Sequence, residues 1–282
     1  MRAPAAARQE RVTFLQAGRA EQGYWQDLWD YRELFGILAW RDVAVRYKQT
    51  VIGVAWALLR PFLTMVIFTI VFGRIAELPS DGVTPYALLV FAGMLPWYLF
   101  SSIFGDASNS LVGNANLIGK VYFPRLIIPA SCAVVALVDF AVSLVLYLGM
   151  MAWYGLLPSW RIVLLPAFIA FGVAASLGPA FFIATLNVKY RDFRYIIPSI
   201  IQFGLYVSPV GFSSSVVPER WRLLYSLNPA AGLIDAFRWC LLPDGATLYL
   251  PGFVISLCAA ALMLWGGIAY FRHNEKSMAD LI

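Results

Sequence analysis

Three cations and one acid crowd into nine residues, Asn187 to Tyr195 (N-V-K-Y-R-D-F-R-Y), between two long apolar segments. Lys189, Arg191 and Arg194 offer positive charge, Asp192 the opposite sign, and Tyr190 a flat apolar face. A second polar segment, Gly105 to Arg125, holds Asn109, Asn114 and Asn116 and then K-V-Y-F-P-R. Its asparagines at 114 and 116 are candidate helix caps. Tyr122 and Phe123 stand between Lys120 and Arg125, a mixture of aromatic anchors and steering charges suited to docking another protein. The chemistry on offer is recognition, with little that could make or break bonds. No G-x-x-x-x-G-K-[ST] loop could cradle nucleotide phosphates, no D-x-D pair occurs, and the lone histidine, His273, lies at the edge of the last apolar run. Cys132, Cys240 and Cys258 are scattered and odd in number, and frame neither disulfides nor a metal site.

Two ionisable residues fall inside apolar runs. Arg60 lies about nine residues into the first, roughly 13 Å along a helix axis, and Pro61 beside it would loosen that helix. Its charge must snorkel to the headgroups or face a wet cavity. Asp139, in L-V-D-F, is too short to snorkel, which leaves a hydrogen bond within the bundle or exposure to a polar path. Aromatic and large apolar residues recur on single helical faces: Met65, Phe68 and Phe72 on one, Trp97, Phe100 and Phe104 on another. Phe203 and Tyr206 join them as candidates to line a channel, where flat rings stack against sugar C–H faces; packing against lipid is the competing account.

These residues need a membrane to position them. The 282-residue chain is 61% hydrophobic and 13% charged, against about 45–50% and about 25% in soluble domains. Six runs are long enough to consider as crossings, near Val51–Phe72, Tyr86–Phe104, Leu126–Ala152, Ile162–Leu186, Ile196–Val210 and Gly252–Phe271. The expected fold is an all-α integral membrane protein of six transmembrane helices, with residues 1–50 an interfacial lead-in and residues 51–282 the membrane domain. Trp25, Leu28 and Trp29 recur at helical spacing as an interfacial anchor would, whereas Arg41, Arg46 and Lys48 scatter around the helical wheel. Small residues Ala174, Ala175, Ser176 and Gly178 predict a close helix contact.

Lys and Arg residues set the orientation. With both termini inside, the inner face collects the N-terminal cations together with Lys120, Arg125, Lys189, Arg191, Arg194, Arg272 and Lys276. The outer face is left with Arg74, Arg161, Arg220, Arg222 and Arg238. That bias predicts cytoplasmic termini, and the net charge of +5 then reflects topology and anionic lipid, with no nucleic acid needed. Met1 to Gly23 lacks the apolar core of a signal peptide. The outer segment Gly211–Pro251 is too long for a turn, and Pro229 to Leu242 carries Leu233, Phe237 and Leu241 at i, i+4 and i+8. It is too short to span, so a re-entrant or interfacial helix is expected.

The chain resembles the permease subunits of ABC-2 type polysaccharide exporters, which move O-antigen, teichoic acid or capsular glycans across bacterial inner membranes. The likeness rests on R-Y-K-Q-T-V-I-G-V-A-W-A-L-L-R-P (Arg46–Pro61), N-A-N-L-I-G-K-V-Y-F-P-R-L-I-I-P (Asn114–Pro129) and L-N-V-K-Y-R-D-F-R (Leu186–Arg194). It continues in S-P-V (Ser208–Val210) and L-N-P-A-A-G-L-I-D-A-F-R (Leu227–Arg238), where members often carry Met at the place of Ala230. The resemblance implies a homodimer with two copies of a separate ABC nucleotide-binding protein, which would bind the ATP and magnesium, leaving no cofactor in this chain. It implies that Asn114–Arg125 is the main coupling helix and Lys189–Arg194 a second contact with the ATPase. It also implies an interfacial N-terminal helix and outer re-entrant helices within Phe212–Leu242 that help gate the exit, with Pro209, Phe212, Asn228, Pro229 and Phe237 as gate residues. A lipid-linked glycan would enter from the inner leaflet, its pyrophosphate drawn by Arg41, Arg46, Lys48 or Arg60. The alternatives are an ABC-2 permease for a lipid, drug or smaller glycoconjugate, and a proton-coupled carrier resting on Asp139.

Overall fold

The computed structural model describes residues 23–48, 53–77, 85–242 and 247–281, and the expectations for Arg2, Arg8, Arg11 and Arg19 fall outside them. Every regular element among the described residues is helical. Helices α1 (Tyr24–Asp30) and α2 (Arg32–Lys48) precede α3 (Gly53–Phe68), which runs on as π-helical turns through Ile75. There follow α4 (Tyr86–Gly113), the short α5 (Ala115–Ile118), α6 (Ile127–Trp153) and α7 (Leu165–Lys189). The chain ends with α8 (Phe193–Val207), α9 (Glu219–Tyr225), α10 (Pro229–Leu241) and α11 (Leu250–Leu281).

Among the described residues, five helical stretches are long and apolar enough to cross a bilayer: Leu58–Ile75, Tyr86–Gly113, Ile127–Trp153, Trp160–Lys189 and Leu250–Glu275. The chain is a multi-pass membrane protein. The run near Ile196–Val210 forms α8, apolar but only 15 residues long, or about 22 Å at 1.5 Å per residue. That falls short of a hydrocarbon core of about 30 Å.

Helix α4 is the axis of the bundle, with 83% of its apolar stretch buried against 11% for the first crossing. Residues Leu88 to Trp97 are buried throughout, packed on α6, α7 and α10. The polar residues Asp106, Asn109 and Ser110, from the segment Gly105–Arg125 that sequence sets after the second apolar run, lie on the last turns of α4. Asn109 and Ser110 turn their side chains back onto the Gly105 and Ala107 carbonyls (2.9 and 2.7 Å), so the helix continues to Gly113.

The α7–α11 pair is the most extensive contact in the molecule. The small-residue run in α7 makes it possible: a Cβ added to Gly267 would lie 2.1 Å from the Gly178 carbonyl oxygen, and one at Gly178 would lie 2.6 Å from the Leu264 nitrogen. Only hydrogen at both positions lets these backbones meet.

Candidate functional site

The two polar segments singled out by sequence finish α4 and α7 at the same end of the bundle. Asn187, buried near the end of α7, donates to the Ser108 carbonyl (3.0 Å) and to Asn109 Oδ1 (3.1 Å) on α4. This tie fixes the spacing of the two exits. Asn114 occupies the backbone position before α5, but its side chain does not cap that helix. It donates to the Ser110 carbonyl at 2.9 Å and accepts from Arg41 on α2 at 3.0 Å. Ile118 at the end of α5 and Phe123 beyond it are buried in a cluster with Leu38, Leu111, Phe181, Phe271 and Met278. Asn116, Lys120 and Tyr122 are left exposed. Phe123 is therefore the peg that seats the segment, and Tyr122 is the aromatic offered outward.

Arg125 belongs to the anchor as well. Its backbone N–H donates to Glu275 Oε1 at 2.8 Å, and its guanidinium donates to the Glu275 carbonyl. The second segment is more open. Lys189, Tyr190, Arg191, Asp192 and Arg194 are all exposed, with the Lys189 ammonium 5.3 Å from the Tyr190 ring centre.

Between α2, α3, α4 and α6 lies a cavity of about 430 Å³, within the range of about 300–1,000 Å³ that holds small ligands. It gathers Arg46, Tyr47, Arg60, Tyr98, Asp106 and Asp139. The Arg46 guanidinium sits between Asp139 (3.1 Å) and Asp106 (3.3 Å), and the Tyr47 hydroxyl donates to Asp139. Asp139 thus has bundle partners and borders a polar space at once. Arg60, one of the residues expected to attract a pyrophosphate, lines the same cavity with its guanidinium 5.7 Å from the Tyr98 ring centre. Arg41 is taken up by Asp42 (2.7 Å) and Asn114, and Lys48 is exposed at the end of α2. Sequence reasoning missed Asp106, whose F-G-D-A context just past an apolar run was the available signal, and it missed Tyr47 and Glu275, whose partners are distant in the chain.

The aromatic candidates separate by exposure. Trp97, Phe100 and Phe104 stack along α4, with centres 5.7 and 6.1 Å apart, and Trp97 and Phe104 are buried. Trp97 presses on Gly204 of α8, where a Cβ would lie 2.7 Å from its ring. Met65 is buried, and Phe68 and Phe72 form an edge-to-face pair (5.2 Å) against Gly211. Phe203 and Tyr206 on α8 stand 68% and 62% exposed.

At the opposite end, the turn after α8 is held by side chains from three helices and a cap residue. Tyr86 donates to the Gly211 carbonyl (2.5 Å), Tyr225 to that of Val207 (2.8 Å), and Asn228 Nδ2 to Ser208 Oγ (3.0 Å). Asn228 also caps α10 by accepting from the Ala230 N–H (3.1 Å), and Pro229 takes the first helical position. Arg238 donates to the carbonyls of Phe212 (2.7 Å), Val210 (2.9 Å) and Leu89 (3.3 Å). This arginine, counted by sequence among the cations of the outer side, is only 5% exposed. Pro209 is buried, Phe212 half-buried, and Phe237 fully buried edge-on to Phe140 (5.8 Å).

The family model for ABC-2 type transporters matches residues 33–242, a stretch that contains the cavity, both basic segments and α10. The chain belongs to the ABC-2 type transporter family. As a family member it is a membrane transport subunit, and among the described residues no group of three or more His, Cys, Asp or Glu is placed to hold a metal ion. It is 26% identical over 264 residues to the O-antigen export system permease protein RfbA of Myxococcus xanthus, covering 91% of this chain and 98% of that protein. Two proteins of the same name from Klebsiella pneumoniae are each 27% identical over 262 and 258 residues, covering 89% of this chain and 95% of theirs.

Proposed function

We propose that this chain is the permease subunit of an ATP-driven exporter that moves a lipid-linked polysaccharide of the O-antigen class across the bacterial inner membrane. The observation that carries this reading is the match, nearly end to end, to relatives named as O-antigen export permeases. In this reading the chain works as a homodimer with two copies of an ABC ATPase, which binds ATP and magnesium. Both termini are cytoplasmic, and the end bearing α5 faces the ATPase. Exposed Asn116, Lys120 and Tyr122, with Lys189, Tyr190, Arg191 and Arg194, form the docking surface, supported by their exposure on segments seated by buried anchors.

Helices α1 and α2, the described part of the N-terminal segment, lie along the cytoplasmic interface, a placement supported by the exposure of Trp25, Trp29, Ile37 and Trp40. Residues 51–282 form the membrane domain. The fifth crossing in chain order is α8 extended by the buried Ser208–Gly211 turn, while α9 and α10 enter the outer leaflet and return as part of the exit gate. Lys48 and Arg60 are the cations best placed to draw a pyrophosphate head, since Arg46 is already paired with two aspartates. Phe203 and Tyr206 line the glycan path with Phe68 and Phe72, and the buried Met65, Trp97 and Phe104 support that wall from behind.

The test is depletion of the protein in its host, with lipid-linked glycans measured inside and polymer measured at the surface. Loss of surface polymer with lipid-linked polymer trapped inside is expected. Unchanged glycans in both places, in a strain without a second exporter, overturn the assignment of a glycan cargo.

A further inference from the structure

The end of the bundle that carries α5 brings together parts of the chain about 250 residues apart in sequence. The late turns of α11, at and just beyond the end of its apolar stretch at Glu275, present Phe271, Arg272, Glu275 and Met278. Phe271 and Met278 are buried in the cluster that also contains Tyr24 of α1, Leu38 of α2, Ile118 of α5 and Phe123. Arg272 places its guanidinium over two rings of α1, 4.6 Å from the centre of Tyr24 and 5.7 Å from that of Trp25. One helical turn away, Glu275 accepts the Arg125 N–H through Oε1 (2.8 Å), and its own carbonyl accepts the Arg125 guanidinium. A side chain and a main chain from α11 therefore grip the last residue of the 115–125 segment.

We propose that Glu275 and Arg272 are positioning residues for coupling: the end of α11 clamps the 115–125 segment and α1 into one body, which transmits the ATPase's motion to the last crossing. The inference rests on the reading of 115–125 as the ATPase contact. Physically, the exposed Lys120 and Tyr122 can push the bundle only if the segment beneath them resists. Phe123 resists as a peg in an apolar socket, which can rotate. The paired hydrogen bonds at Arg125 remove that rotation, and the Arg272 stack carries the constraint on to α1.

The experiment uses the permease assembled with its ATPase in proteoliposomes. Hydrogen exchange at the Arg125 amide, ATP hydrolysis and exported glycan are measured for Glu275→Ala, Glu275→Gln and Lys120→Glu/Tyr122→Ala. Gln keeps an oxygen acceptor for the Arg125 N–H, whereas Ala removes it. Glu275→Ala is expected to raise Arg125 exchange and the ATP consumed per glycan by about ten-fold each, the size expected for a lost charge-assisted hydrogen bond, with the ATPase still bound. Glu275→Gln is expected to recover most of both losses. Wild-type exchange and ATP cost in Glu275→Ala overturn the clamp, and so does equal damage by Ala and Gln. If the Lys120→Glu/Tyr122→Ala protein binds and stimulates the ATPase normally, the coupling reading itself falls, a result separate from either outcome at Glu275. Should Glu275→Ala fail to assemble, Arg272→Ala against Arg272→Lys applies the same readouts: Lys retains the cation over Tyr24 and is expected to restore coupling, and a failure to do so overturns the stack's role.

Discussion

Replacing Arg238 by Met keeps most of the side-chain volume and removes the donors that hold the turn after α8. The two short bonds, to the carbonyls of Phe212 (2.7 Å) and Val210 (2.9 Å), carry most of the effect, and the 3.3 Å bond to Leu89 carries less. Net hydrogen bonds to a charged group contribute about 1.5–3 kcal/mol each. Two strong bonds and one weak one, less what water recovers at the part-buried Phe212 carbonyl, give about 3–5 kcal/mol, in line with about 1–3 kcal/mol for each buried acceptor left unsatisfied. For a chain of this size about 2–4 °C of melting temperature accompany each kcal/mol, so the detergent-solubilised protein should unfold about 10 °C lower. Arg238→Lys should fall between, because an ammonium reaches one or two of the three oxygens.

Gly93→Ala attacks the same device from its other side. The new Cβ would lie 2.8 Å from Arg238 Nη2 and 3.0 Å from the Val210 oxygen. Both substitutions disturb one set of bonds, so their effects should not add. Thermal unfolding followed by loss of the monodisperse peak in size-exclusion chromatography provides the measurement. An Arg238→Met protein melting within about 2 °C of the wild type, or strict additivity with Gly93→Ala, would refute the reasoning.

At the α7–α11 crossing, Gly267→Ala should abolish the folded protein, since the nearest obstacle is the Gly178 carbonyl and no side chain can yield. Recovery of normal yields of protease-resistant protein would show that the backbones can part cheaply. Asp139→Asn should weaken the grip on Arg46 and Tyr47, worth about 1 kcal/mol at these half-exposed positions, and so increase proteolytic cleavage within α2 while leaving the core intact. Burial, followed by the hydrogen bond to Asp139, raises the pKa of Tyr47, and burial followed by Asp235 raises that of Tyr225. The native state thus holds these protons more tightly than the unfolded chain. Their stabilisation should be complete below about pH 10, the ordinary tyrosine value, and be lost as pH rises beyond it. A melting temperature that is level from neutral to mildly alkaline pH and then falls, less steeply in Tyr225→Phe, would bear this out, and an equal fall in the variant would not.

Hydropathy located the long crossings because apolar runs about 20 residues long have few other fates in a chain of this composition. It misplaced the end of α4 because Asp106, Asn109 and Ser110 look like a loop until their own helix, α7 and α2 satisfy them. Arg238 was counted with the outer-side cations, and nothing local in the sequence signals the three carbonyls folded around its guanidinium. The site was legible in parts. Tyr122 and Phe123 announce docking by type, but one faces out and the other is a peg, and only the packing of Phe123 against α7 and α11 residues distinguishes them. Pairings such as Arg46 with Asp106 and Asp139, or Arg125 with Glu275, join residues 60 to 150 positions apart. No local periodicity encodes them.

The glycine contact between α7 and α11 has a consequence for movement. Helices that meet through side chains can shear, because a layer of rotamers re-sorts itself between them. Gly178 and Gly267 leave no such layer, so sliding one backbone along the other would drive the next side chain into a carbonyl. These two helices therefore move as one rigid unit, and a push delivered to the end of α11 carries α7 with it. Changes of shape within the bundle fall instead to the lightly packed elements, α3 and α8.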